Sequence, residues 1–383
     1  MNWNQWFAEQ ATAREEAGLT RRLRARGADD PTLDLAGNDY LGLSRDPAVR
    51  QAAADAALAW GGGAGASRLV TGTLDLHADL EVELADYLGQ PSALVLSSGY
   101  AANLAVVTAL VDRGAHVISD AHIHASLVDA ARLSRARLTV VAHSDVDAVR
   151  AALESSAGRR SRSATVTRPE PTLVLAESVY SVLGDAAPLT ELADLCASYD
   201  ALLVVDEAHG LGVHGPGLVA RSGLAGHPNV VVTATLSKSL GSQGGAVLGT
   251  PALREHLVNR ARPFIFDTAL APAPTAAALA ALRVLRARPE LSDLVRDRVR
   301  TLADALGVVT PDGAVLSIPM PSPQAAVAAQ AAALADGIRV GCFRPPSVPD
   351  GISRLRVTAS AGIADADWER AVGVLATIAK EHQ

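Results

Sequence analysis

The chain has 383 residues, of which 49% are hydrophobic and 20% charged, enough to bury a large core and to make roughly two domains. Its formal charge of −7 offers no broad basic surface to a phosphate backbone and argues against nucleic-acid binding. Cys196 and Cys342 are the only cysteines and stand without ligand spacing, and no apolar run has the length of a signal peptide or a membrane span. A reducing, cytoplasmic protein with no metal and no disulfide framework is expected.

In chain order, residues 15–26 read as an arginine-rich amphipathic helix. An extended stretch over 33–35 and a turn at Gly37, Asn38, Asp39 and Tyr40 follow, so that residues 1–46 form an arm. From residue 47 onward apolar runs of strand type, over 92–96, 115–118, 138–142, 172–176, 201–205 and 229–235, alternate with helical patterns over 102–111, 125–135, 146–153 and 189–199. Such alternation predicts βαβ units, a mostly parallel sheet, and ligands at the carboxyl ends of its strands. The polar, arginine- and serine-rich stretch 155–171 reads as a surface loop. An alanine-rich helix runs from 274 to about 287. Short strands over 314–319 and 355–358 and a helix from 366 then complete a smaller α+β domain. The expected division is an arm over 1–46, a large domain over 47–275 and a small domain over 276–383.

Lysine is almost absent: Lys238 and Lys380 are the only two. Lys380 lies near the chain end in an expected surface helix. Lys238 follows the apolar run 229–235, in a loop of small residues, where partial desolvation lowers an amine's pKa toward the range in which it attacks carbonyls. A lysine that merely snorkels from a strand end would look the same. The preceding strand ends in Asp206, with His209 three residues on. A carboxylate there suits the protonated nitrogen of a pyridine-ring cofactor, although a metal ligand or a helix cap would also use it. The turn at Ser97, Ser98, Gly99 and Tyr100 opens a helix, where the amides of Gly99 and Tyr100 are candidate phosphate donors. Residues 61–72 are glycine-rich but lack the lysine of a nucleotide loop and follow no strand, which leaves a flexible channel loop. His122 and His124 have no third ligand nearby, so stacking of one imidazole on a flat ring stands beside metal ligation.

These segments, in order, resemble the α-oxoamine synthase family of fold-type-I pyridoxal-phosphate enzymes from Asn38 to the C-terminal helix. The resemblance rests on NDYLGL (38–43), GAGASRLVTG (63–72), SGYAAN (98–103), HAS (124–126), ESVYSVLGDAAPL (177–189), DEAHG (206–210) and TLSKSLGSQGG (235–245). It implies an α/β fold with a mostly parallel, seven-stranded sheet in the large domain, and pyridoxal 5'-phosphate as cofactor. Lys238 would carry the cofactor as a Schiff base and later move protons. Asp206 would hold the pyridinium, His124 would stack on the ring, and Ser181 and His209 would bond its oxygen. Thr235, Gly99 and Tyr100 would hold the phosphate together with Thr268 of a second copy, which implies a homodimer. The string FRPPSVP (343–349) is similar to that of the branch joining L-alanine to a pimeloyl thioester, pimeloyl-CoA or a pimeloyl carrier protein. There Arg344 would pair with the amino-acid carboxylate, and Ser347, Arg21 and Asn38 would meet the substrates; Arg22 and Arg24 compete with Arg21. Leu236 stands where the family has Phe, which reduces aromatic packing near the lysine. Sister activities using glycine, and a non-catalytic cofactor-binding module, are the alternatives.

Overall fold

The computed structural model describes residues 1–17, 19–21, 23–162, 171–345, 348 and 350–382. Its strands are β1 (Leu33–Leu35), β2 (Ser92–Leu96), β3 (His116–Asp120), β4 (Arg137–Val141), β5 (Thr172–Glu177), β6 (Leu202–Asp206), β7 (Val230–Thr235), β8 (Gly245–Gly249), β9 (Val315–Pro319), β10 (Ile338–Phe343) and β11 (Arg354–Thr358). Seven form one sheet in the order β2-β8-β7-β6-β5-β3-β4, and four form a second in the order β1-β10-β11-β9.

The large sheet is parallel from β7 through β6, β5 and β3 to β4, while β8 runs antiparallel to both β7 and β2. This is the mostly parallel seven-stranded sheet expected. β5 and β7 are buried at every residue and β6 at all but Leu202, as strands covered on both faces must be, and the sequence writes that as the near-continuous apolar runs TLVLA, LLVV and VVVTA. The register then fixes where polarity returns. Glu177 on β5 lies opposite Asp206 on β6, and Asp206 opposite Thr233 on β7, so three polar side chains stand abreast at the carboxyl ends.

The small sheet joins the two ends of the chain, since β1 pairs in parallel with β10 through Leu33 and Ile338. That pairing carries the turn 37–40 toward the large sheet, and the amide of Ala361 donates to the carbonyl of Tyr40 at 2.7 Å.

Two expected elements are corrected. The N-terminal helix is Trp3–Glu16, not 15–26, because the Asn2 side chain accepts the amides of Asn4 and Gln5 and starts the helix there; the arginine-rich stretch lies beyond it. The helix expected over 146–153 runs from Val146 to Arg162, so residues 155–162 are not loop. Asp145 accepts the Ala148 amide at 2.8 Å, and the run of Ala, Glu and Arg that follows favours propagation.

Candidate active site

The turn after β7 brings Lys238 back over the end of β6. Its Nζ lies 2.7 Å from His209 Nε2, and the other ring nitrogen of His209 lies 2.6 Å from the Tyr40 hydroxyl. Tyr40 donates to Asn38 Oδ1 at 3.1 Å, and the same oxygen accepts both terminal nitrogens of Arg356. Arg356 Nε donates to the carbonyl of Ser181 at 2.9 Å. With the Tyr40 proton on Asn38, His209 Nδ1 donates to Tyr40, which leaves Nε2 as an acceptor for Lys238. His209 is therefore neutral, in keeping with burial and the nearby Lys238 and Arg356 charges, which hold its pKa well below the usual value. Burial pushes the Lys238 amine down to about 8, against the opposing pull of Asp206 and Glu177.

Asp206 is buried with one donor on each oxygen: the Ala208 amide at 2.9 Å and Asn103 Nδ2 at 2.8 Å. His124 stands at the start of the helix Ala125–Ser134 and accepts the Ser126 amide on Nδ1. Ser181 donates its amide to Glu177 at 3.1 Å. The other Glu177 oxygen is buried and has no bond of good geometry among the described residues, and burial together with Asp206 pushes this carboxyl up to about 8.

The helix Gly99–Leu110 opens beside this cluster, capped by Ser98, whose hydroxyl accepts the Ala101 amide at 3.0 Å. A Cβ on Gly99 would lie 3.0 Å from Thr235 Cβ, and one on Gly245 would lie 2.3 Å from the Ser98 carbonyl oxygen. Glycine is thus required for the helix start to sit against the ends of β7 and β8, and first-turn amides at such a start suit an anion. The amine, the carboxylate and the anion cradle together match the functional groups of pyridoxal phosphate, so the residues fit that cofactor.

Lys238, His209, Asp206, Asn38, Gly99, Tyr100, Thr235, Ser181 and His124 all belong to the elements meeting at this end of the sheet. Thr235 directs its hydroxyl to Ser237 and the Gly244 carbonyl. Thr268 is exposed, and the neighbouring Asp267 accepts the Ser97 hydroxyl. Arg344 follows β10 directly, Arg21 lies in the arm, and Ser347 falls outside the described residues.

Arg356 was not anticipated. It is 5% exposed and, among the described residues, has no carboxylate within ion-pair distance. A buried guanidinium served only by neutral acceptors calls for an anionic ligand. Its signal in the sequence was a charge at an alternating position inside the apolar strand RLRVT.

His122 goes elsewhere. Its ring stacks on His143 with centroids 4.4 Å apart, and no three ligating side chains among the described residues could hold a metal. His143 is clamped between Asp120 at 3.0 Å and Asp185 at 2.8 Å. Burial opposes its charge, but the bonds from both carboxylates prevail and push its pKa up to about 9. A folded pKa above the unfolded value near 6.5 means that this clamp stabilises fully below pH 6.5 and loses its effect as pH rises through about 9. His143→Gln is expected to remove about 2 kcal/mol of unfolding free energy at pH 6, allowing for the partly open Asp185, and almost none at pH 10. Urea unfolding at the two pH values checks this; an equal loss at both would refute the clamp.

A family model described as aminotransferase class I and II matches residues 30–375. The chain is 54% identical over 376 residues to an 8-amino-7-oxononanoate synthase of Mycolicibacterium paratuberculosis, covering 97% of this chain and 96% of the relative. It is 52% identical over 377 residues to the synthase of the same name from Mycolicibacterium smegmatis, with the same coverage. A serine palmitoyltransferase from S. paucimobilis, solved with bound PLP and myriocin, has a similar structure, with a TM-score of 0.88 at 28% identity, covering 98% of this chain and 97% of that one.

Proposed function

We propose that this chain, which belongs to the aminotransferase class I and II family, condenses L-alanine with a pimeloyl thioester to give 8-amino-7-oxononanoate, carbon dioxide and the free thiol, a step of biotin biosynthesis. It is a pyridoxal-phosphate enzyme of the acyltransferase type. The observation that carries the reading is the half-buried Lys238 amine held against His209, beside a pinned Asp206 and an anion cradle. When bound, the cofactor supplies a conjugated ring that takes up the electron pair left on the amino acid's α-carbon.

In this reading Lys238 is the amine that links to the cofactor, and Asp206 faces the pyridine nitrogen. His124 covers one side of the ring, Ser181 and His209 meet its oxygen, and the amides of Gly99 and Tyr100 with Thr235 hold the phosphate. Thr268 of a second copy would complete that cradle, which makes the active form a homodimer. Once the incoming amino acid has freed it, the Lys238 amine can take the α-proton at Nζ, because a pKa near 8 leaves part of it unprotonated at neutral pH. The His209 bond holds Nζ in place for that transfer. Arg344 binds the alanine carboxylate, Arg356 is the second guanidinium able to do so, and Asn38 fixes Arg356. Arg21 and Ser347 are assigned to the acyl chain. A cytoplasmic location belongs to the same proposal; no described helix is long and apolar enough to cross a membrane.

The test is turnover by the cofactor-loaded chain with L-alanine and pimeloyl-CoA or a pimeloyl carrier protein, following product mass and carbon dioxide. Alanine is expected to exceed glycine by roughly 10-fold or more in kcat/KM, the discrimination one methyl group can support. Faster condensation of glycine with acetyl- or succinyl-CoA would assign a sister activity instead. Arg344→Ala is expected to raise the KM for alanine by about 100-fold; an unchanged KM would remove Arg344 from the site.

A further inference from the structure

Asn103 lies on the inner face of the helix Gly99–Leu110, is 2% exposed, and meets three polar side chains. Its Oδ1 accepts the Thr233 hydroxyl at 2.6 Å. One Nδ2 hydrogen goes to Asp206 Oδ2 at 2.8 Å and the other to Ser126 Oγ at 2.8 Å. Ser126 is wholly buried, and its Oγ lies 2.8 Å from His124 Nδ1, the atom that also accepts the Ser126 amide at 3.2 Å.

The direction of every bond in this chain follows from chemistry. An amide nitrogen can only donate, so Asn103 fills a lone pair of Ser126 and leaves the serine hydrogen to point at His124. A backbone N–H can also only donate, so His124 Nδ1 must be unprotonated and its proton must sit on Nε2. Nothing in the chain reverses unless Asn103 does, and the amide cannot flip because its oxygen would then face the Asp206 carboxylate, which can only accept.

We propose that Asn103 is a positioning residue that fixes the Asp206 carboxylate and, by turning the Ser126 hydroxyl onto Nδ1 beside the Ser126 amide, reinforces the Nε2–H form of His124 and joins the two groups in one rigid unit. The two groups assigned to the edge and the face of the cofactor ring are then set by a single buried amide. This inference rests on the proposed cofactor reading for its consequence in catalysis, but the relay itself is a property of the chain.

The test uses the full chain loaded with pyridoxal phosphate. Asn103→Asp keeps the volume and replaces the NH2, which donates to both Asp206 and Ser126, with one acceptor oxygen. It is expected to lower kcat by about 100-fold, the cost of misplacing a reacting group by an ångström, with little change in the KM for alanine. The pH at which the bound cofactor's visible band titrates should move by about one unit, and the His124 Nδ1 NMR signal should shift, because the Ser126 hydroxyl turns from Nδ1 to the new carboxylate while the Ser126 amide stays on it. Wild-type turnover, band titration and His124 signals in N103D would overturn the proposal. Should N103D not fold, Ser126→Ala cuts only the branch to His124. It should alter the His124 signals and leave the band titration in place; unchanged His124 signals would again overturn the relay. If the wild-type chain shows no lysine-dependent visible band, the cofactor reading has failed, and the His124 signals still decide the relay.

Discussion

Lys238→Ala is expected to abolish covalent retention of pyridoxal phosphate and to lower turnover by on the order of 10⁴-fold or more, as loss of a nucleophile that acts as one unit with its partners does. The Nζ of Lys238 is the amine that meets His209 in a half-buried site, and the other lysine, Lys380, lies in the closing helix Asp365–His382. The variant should still fold. Removing a half-buried cation takes away a desolvation cost, and the remaining network of His209, Tyr40, Asn38 and Arg356 keeps all its bonds. Mass spectrometry after borohydride reduction reads the covalent link, and the melting temperature reads the fold. A variant that still traps the cofactor covalently would place the link on another residue. The wild type should capture cofactor faster as pH rises toward 8, because the share of reactive free amine grows toward one half there.

Much of this site was legible because parallel-sheet chemistry writes itself plainly. A strand buried on both faces must be apolar until its carboxyl end, so the first charge after LLVV marks Asp206, and the loop after VVVTAT marks Lys238. β8 was not legible. Gly245–Gly249 is a short run bounded by glycines to which no strand was assigned, yet it is a buried strand whose first glycine is demanded by the approach of the Ser98 carbonyl. β10 was missed for a related reason: its half-buried pattern is weak, and its parallel partner β1 lies 305 residues earlier in the chain, Leu33 opposite Ile338. Arg356, Glu177 and Asn103 were missed as functional candidates because their meaning comes from tertiary neighbours. Asn103 sits in an apolar helix and Glu177 ends a strand, and neither has a local signature separating a site residue from a satisfied core polar group. The N-terminal helix shows the opposite failure: the arginine-rich stretch looked amphipathic, but the helix boundary was set by the Asn2 cap.

Asp206→Asn is expected to lower kcat by roughly 10³-fold, comparable to the loss of one preorganised electrostatic partner in a buried site. The substitution is nearly isosteric, but the environment was built for two acceptor oxygens. One takes the Ala208 amide and the other Asn103 Nδ2, so whichever end of the new amide carries its NH2 must face a donor with a donor. The stability cost should be about 1 to 3 kcal/mol for that unmade bond, much smaller than the effect on catalysis. The variant's residual activity should also change its pH dependence. Glu177 stands in register beside Asp206, and its carboxyl is pushed up to about 8 by burial first and by the Asp206 charge second. Removing that charge leaves burial alone, so Glu177 should ionise at a lower pH than in the wild type. A new carboxylate would then appear beside the empty anionic position, and residual turnover should rise as pH increases through the lowered Glu177 pKa. Asp206→Asn combined with Glu177→Gln should lose that rise. A single variant whose residual activity has the wild-type pH profile would show that Glu177 does not sense Asp206. A single variant with wild-type turnover would show that Asp206 does not serve the cofactor ring.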